Sequence, residues 1–427
     1  MTISARAPRR RRVGAPGALD ASGEDALLEA VQRQTFRYFW EFGHPVSGLA
    51  RDRFGGDDEK IGIGGSGFGA MAIVVAAERG WVTRAEAVER LHRMVGFLER
   101  ADSYHGAFPH FLNGTSGRTI RFWGKDDGAD IVETAFLMQG LVAAQRYFDG
   151  EGREASLRDR IAGLRRGVEW DWFTQGGREA LYWHWSPNNG FGMNQEVWGW
   201  NECLILFVLA AGAEEHAIGP RVYHNGYAQS RVFINRRRYE GIELPLGPDC
   251  GGPLFFAHYS FCGLDPRGLV DTYADYWQQN VAHVRINHDY CVRNPNRFAG
   301  YGSDCWGLTA SDSVVGYAAH SPTNDLGVIA PTAALASFPY APEEAMRALR
   351  HFKGALGERI WRDYGFVDAF SESAGWYAKS HLAIDQGPII AMIENHRSGL
   401  LWKLVMADPQ VRRGLSRLGF SSPHIGA

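Results

Sequence analysis

Apolar positions recur along most of the chain at helical spacing. Between residues 24 and 42 (EDALLEAVQRQTFRYFWEF), Leu27, Val31, Thr35 and Phe39 fall on one face. Thr83-Arg84-Ala85-Glu86 carries a capping-box signature, and Ala87, Leu91 and Met94 follow it at helical intervals. Pro342, followed by Glu343 and Glu344, marks another helix start. Strand-like alternation is scarce and no βαβ rhythm occurs, so the pattern predicts an all-α fold.

The predicted helices are of two kinds. Residues 83–100, 154–172 and 342–360 are amphipathic. GFGAMAIVVAA (67–77), AFLMQGLVAA (135–144), CLILFVLAAGA (203–213) and PIIAMI (388–393) are apolar almost all round, which requires burial on every side. Alternation of the two kinds is what an inner ring of helices wrapped by an outer ring produces. The connections at 104–128, 174–195 and 286–322 are long and rich in Gly and aromatics, and such loops commonly carry function. No linker divides residues 23–427. Residues 1–22, with an RRRR run at 9–12 among Ala, Gly, Pro and Ser, read as a disordered basic tail.

Composition narrows the function. A chain that is 45% hydrophobic and 22% charged is an ordinary globular protein. Its net charge of −3, from 45 basic and 48 acidic residues, argues against a nucleic-acid partner. ILFVLAAGA (205–213) is too short to span a membrane, and no signal-peptide segment follows the arginines. The expectation is a cytoplasmic protein, or a periplasmic or secreted one if a leader has been lost, and a monomer or weak homo-oligomer. Five cysteines without C-x-x-C read as reduced thiols rather than a disulfide or zinc framework, and neither a metal nor a cofactor is expected. Gly62-Ile63-Gly64-Gly65-Ser66-Gly67 fits G-x-G-x-x-G but lacks the preceding hydrophobic strand of a dinucleotide site. His288-Asp289 has no H-E-x-x-H around it, and no G-x-S-x-G elbow exists.

Carboxylates stand at or before the starts of the apolar helices. Asp126, Asp130 and Glu133 precede or open the second, Glu202 the third and Asp385 the fourth, while Asp325 precedes LGVIA. Parallel inner helices would gather these acids at one mouth. N-capping is the competing explanation, above all for Asp325. It fits Glu202 poorly, and a lone Glu against an apolar wall should hold its proton as a general acid must. Trp123, Trp198, Trp200, Trp306 and Trp376 accompany the acids, and Trp suits stacking on a pyranose ring. Paired carboxylates among aromatics fit glycoside hydrolysis. Candidate sugar contacts are Asp126, Glu133, Trp123, Trp200, Trp306, Tyr317, His320 and Trp376.

GSGFGA (65–70), DDGADIVETAFLMQGL (126–141), WGWNE (198–202), GPLFFAHYSF (252–261) and the stretch from DCWGLTASD (304–312) to AIDQGPI (383–389) carry a resemblance. The sequence resembles the glucoamylase-like proteins of glycoside hydrolase family 144, which include bacterial endo-β-1,2-glucanases. The resemblance covers nearly the whole chain from residue 24. It implies an (α/α)6 toroid and hydrolysis of β-1,2-glucan with inversion. It also implies Glu202 as general acid, and Asp126, Asp130 and Glu133 as essential or sugar-contacting acids. The base is either Asp385 or Asp130. Rival readings are a hydrolase of another glucan linkage, a non-catalytic carbohydrate-binding toroid, and a polysaccharide lyase.

Overall fold

The computed structural model describes residues 21–229 and 232–425. Ala21 and Ser22, expected in the tail, already belong to the first helix; the rest of the expected tail lies outside the described residues. Twelve α-helices organise the described residues. They are α1 (Ala21–Trp40), α2 (Ile63–Glu78), α3 (Arg84–Leu98), α4 (Ile131–Tyr147), α5 (Arg153–Arg166) and α6 (Leu204–Gly212). After these come α7 (Tyr276–Arg293), α8 (Pro331–Leu335), α9 (Pro342–His351), α10 (Ala383–Arg397), α11 (Leu400–Met406) and α12 (Pro409–Arg417).

The two predicted kinds of helix occupy different layers. α2, α4, α6 and α10 are buried along nearly their whole length. α2 packs on α4 and α10, and α4 also touches α6. Outside them, α1 lies on α10 and α2, α3 on α2 and α5, and α12 on α6. α5 buries fully only Leu157 and Ile161, as an outer helix should. The predicted capping box at Thr83 and Glu86 is formed. α5 ends earlier than expected, before Gly167, and α9 gives way to a π-turn at Phe352–Leu356.

Glycine makes the tight contact between α2 and α4. A Cβ on Gly140 would lie 1.9 Å from the Gly67 carbonyl oxygen, and one on Gly67 would lie 2.2 Å from that of Phe136. Gly140→Ala therefore forces two backbones apart, and a loss of about 3 kcal/mol is expected in denaturant unfolding. The G-x-G-x-x-G pattern thus serves helix packing.

Two elements depart from the sequence reading. α7 occupies the start of the predicted 286–322 connection. Polar groups are buried on it among apolar ones such as Ala282, Val284 and Ile286: Gln279 bonds the Leu246 backbone, Asn280 the Tyr340 hydroxyl, His283 the Gly252 carbonyl and Asn287 the Leu308 backbone. The buried polar groups blur the hydrophobic period of this helix. The connections also hold short antiparallel pairs that an all-α description omits. β1 (Lys60–Gly62), β2 (Phe111–Asn113) and β3 (Thr119–Ile120) form one sheet. β4 (Ala129–Asp130) pairs with β5 (His184–Trp185), and β6 (Ile234–Tyr239) with β7 (Ile242–Leu246). The five cysteines are all free. No helix among the described residues is long and apolar enough to cross a membrane.

Candidate active site

The starts of the four buried helices meet at one cavity of about 450 Å³. Gly62 and Gly65 at α2, Val132, Glu133 and Phe136 of α4, Glu202 before α6 and Leu382–Ile384 at α10 all line it. Phe111, Phe122, Trp183, Phe255, Tyr259 and Tyr317 give it an aromatic wall. Asp52, Arg53, Lys60 and His110 complete the polar lining. Arg53 and Lys60 are tied to carboxylates: Arg53 to Asp312 at 3.0 Å and Lys60 to Asp52 at 3.6 Å. A basic cleft of the kind a lyase uses on uronic acids is therefore not offered. Grooves of similar volume on the outer face, such as that between α1 and α9, are bordered by paired surface charges like Arg350–Glu24.

Glu202 sits two residues ahead of α6, whose N-cap position is Cys203, so it caps nothing. Its carbonyl accepts the Ser260 hydroxyl, which anchors the backbone and leaves the carboxyl on the cavity wall. Burial, with Glu133 and Asp130 nearby, pushes the Glu202 carboxyl up to about 7. It carries a proton where an ordinary glutamate would not.

Asp130 is the N-cap of α4, accepting the Val132 and Glu133 amides at 3.0 Å each. The same carboxylate faces two histidines that sequence reasoning missed. His110 Nδ1 lies 3.1 Å from Asp130 Oδ2, and His184 Nε2 lies 3.6 Å from it. His184 also stands 3.1 Å from Asp126 Oδ2. The β4–β5 register places Asp130 opposite His184, and the Asp130 amide donates to the Phe108 carbonyl, drawing in the His110 segment. Despite burial, the carboxylates hold both imidazoles up to about 9, while hydrogen bonds from the histidines hold Asp130 far below the usual range. Two buried carboxylates thus meet two imidazolium ions.

Glu133 borders this cluster and acts on His110 through its charge. Its Oε2 accepts the Gly64 amide at 2.7 Å, at the first turn of α2. A Cβ on Gly64 would lie 2.6 Å from that oxygen, which gives the glycine a second reason to be there. Burial pushes Glu133 up to about 7. Its cavity face is the one shared with Glu202.

Asp385 lies in the first turn of α10, behind the cavity lining, and is buried. Tyr259, a residue of the cavity lining, donates its hydroxyl to Asp385 Oδ1 at 3.4 Å. Burial and the neighbouring Asp368 push Asp385 well above the usual carboxylate range.

The remaining candidates separate clearly. Tyr317 lines the cavity. Trp123 is 62% exposed, at the tip of a turn closed by Phe122 and Asp126 backbone bonds. Trp200 and Trp306 are core residues, contrary to the sequence expectation. Trp200 is packed by Phe233, Phe261 and Tyr276, and Trp306 meets His288 and donates to the Glu344 carbonyl. His320 is buried off the cavity lining, and Trp376 packs against Val328, Ala330 and Ala369. Asp325 caps no helix; it accepts the hydroxyls of Tyr290 and Tyr301 and the Gly327 amide, fixing a loop. His110, Asp126 and Asp130 are close enough to hold a cation, as are Cys305, His351 and Glu372 elsewhere. In the first cluster the imidazolium charges already neutralise the acids.

Comparison with known proteins supplies the family. The family described as "Putative glucoamylase" matches residues 194–409. A crystal structure from Bacteroides uniformis carrying the same description is 55% identical, with a TM-score of 0.94, over 96% of this chain and 100% of that one. The endo-β-1,2-glucanase from Chitinophaga pinensis, in complex with sophorotriose and glucose, is 49% identical. Its TM-score is 0.92, over 95% of this chain and 100% of that one. The chain belongs to the glucoamylase-like family. A curated relative, the exo β-1,2-glucooligosaccharide sophorohydrolase (non-reducing end) of Parabacteroides distasonis, is 43% identical over 417 residues. That match takes in 92% of this glucoamylase-like chain and 58% of the relative's length, so the chain spans rather more than half of that protein.

Proposed function

We propose that this glucoamylase-like protein is an inverting glycoside hydrolase of β-1,2-linked glucans, releasing sophoro-oligosaccharides. The observation that carries the reading is Glu202: a proton-holding carboxyl on an aromatic cavity wall, ahead of a helix it does not cap. Relatives named for β-1,2-glucan cleavage support the linkage.

Glu202 donates its proton to the glycosidic oxygen as the bond to the anomeric carbon breaks. Asp385 is the base, taking a proton from the water that attacks the opposite face of the sugar, directly or through a short water chain. Asp130 is the weaker choice. Its lone pairs are spent on two amides and two imidazolium ions, and its low proton affinity makes it a poor acceptor. Glu133 holds sugar hydroxyls, Tyr317 and Trp123 offer rings to the glycan, and Asp126, buried behind the lining against His184, supports the wall without touching sugar. The two helical layers form an (α/α)6 double ring making one domain from residue 23 onward, acting as a monomer or weak homo-oligomer.

Products from a panel of β-1,2-, α-1,4- and β-1,3-glucans test the linkage. Sophoro-oligosaccharides from β-1,2-glucan alone are expected, and release of glucose from the α-1,4 polymer would overturn the assignment. Trp123→Ala is expected to raise KM several-fold with Tm unchanged, since one exposed ring contact contributes about 0.5–1.5 kcal/mol. Steady-state kinetics and a melting curve check both halves of that statement.

A further inference from the structure

We propose that Asp368 is a positioning residue for Asp385: the two buried carboxyls hold one proton between them and receive the water proton as a unit. This rests on the reading of Asp385 as general base.

Asp368 lies just before the Phe370–Ser371 strand and is 2% exposed; Asp385 is 1% exposed. One oxygen of each is accounted for: the Asp312 amide donates to Asp368 Oδ2 at 2.6 Å, and the Tyr259 hydroxyl to Asp385 Oδ1 at 3.4 Å. The other oxygens, Asp368 Oδ1 and Asp385 Oδ2, are buried without any further partner, and the two carboxyls hydrogen-bond to each other. A carboxylate only accepts, so that bond requires a proton on one of them. Among the described residues no cation pairs with either carboxyl. Arg53, whose charge acts on Asp368, is engaged by Asp312 at 3.0 Å and Asp52 at 3.4 Å, and Asp312 further accepts the Ser380 hydroxyl. Two adjacent buried carboxylates cannot both ionise at modest cost. Burial and the neighbouring Asp312 push Asp368 up to about 7, while its bond to Asp385 lowers it; burial and the contact with Asp368 push Asp385 well above the usual carboxylate range. Tyr317, Tyr259, Tyr38, Asp312 and Arg53 are other titratable groups acting on the pair.

The pair resolves a conflict in the mechanism. A base raised by burial is strong but ordinarily protonated at neutral pH. A pair with one proton carries one negative charge there, so an acceptor oxygen is available while its affinity for a second proton stays high. During turnover the water oxygen bonds to the anomeric carbon, its proton passes to the pair, and the Glu202 proton passes to the departing oxygen. The neutral pair then returns one proton to solvent, and Glu202 regains one.

The test compares Asp368→Asn and Asp385→Asn in the full chain, by steady-state kinetics on β-1,2-gluco-oligosaccharides, melting curves and infrared spectra of protonated carboxyl groups. Asp368→Asn is expected to lower kcat by about tenfold or more with little change in KM or Tm. The protonated-carboxyl intensity should fall by one group in both variants, leaving that of Glu202 and Glu133, so the shared proton is tested even if one variant unfolds. A kcat within twofold of the parent, or undiminished protonated-carboxyl intensity in either folded variant, would overturn the pair. If Asp385→Asn itself keeps full turnover, the base assignment fails; if it is inactive while Asp368→Asn behaves like the parent, only the pair does.

Discussion

Glu202→Gln is expected to cut turnover at least about a hundredfold while leaving the melting temperature and oligosaccharide affinity close to the parent's. The amide keeps the shape of the side chain and its place on the cavity wall, but it has no proton to give the leaving oxygen. The pH profile of the parent enzyme should carry the same signature. Glu202 is held up to about 7, and the acid must be protonated to act, so activity falls as pH rises through that value. Both effects are read by initial rates on sophoro-oligosaccharides. Normal turnover by Glu202→Gln, or an alkaline limb that persists unchanged in it, would reject the assignment.

His184→Ala is expected to cost about 3–5 kcal/mol of stability, measured by denaturant unfolding at neutral pH. The change removes a cation lying between Asp126 and Asp130 and leaves two buried carboxylates facing His110 alone. The same cluster sets a pH dependence. His110 and His184 are raised to about 9 from an ordinary value of about 6.5. Their contribution to stability is complete below about 6.5 and is lost as pH rises through about 9. Asp130 is lowered, so its contribution holds above about 3.9 and fades in more acid solution. Stability of the parent should therefore decline between neutral and pH 9, and more weakly in His184→Ala. Equal slopes in the two proteins would contradict the ion cluster.

The sequence was most legible where one physical rule acted alone. Helices apolar all round had to be inner helices, and α2, α4, α6 and α10 are. Because acids opened these helices, their meeting at a shared mouth could be expected. Glu133 and Glu202 line that cavity, while Asp126, Asp130 and Asp385 lie behind it. Legibility failed where polar groups satisfy one another inside the protein. α7 buries Gln279, Asn280, His283 and Asn287 beside Ala282, Ile286 and Tyr290, so polar groups blur its apolar stripe. His110 and His184 are 74 positions apart, and only the β4–β5 register and the Phe108 backbone bring them to Asp130. Asp368 had no local signal either, since its partner is 17 residues on and in another element. Tryptophan misled in the other direction. Trp200 and Trp306 stand next to the acids in sequence yet point into the core, where a large ring gains most from burial.

A crystal structure of Glu202→Gln soaked with a β-1,2-gluco-oligosaccharide shows which carboxyl faces the scissile bond. A glycan threading the cavity is expected, with the substituted amide within hydrogen-bond distance of a glycosidic oxygen. On the opposite face of the same sugar, ordered water should lead from the anomeric carbon towards Asp385. A glycan seated with Glu133 at the glycosidic oxygen, or bound away from the cavity, would contradict the Glu202 assignment.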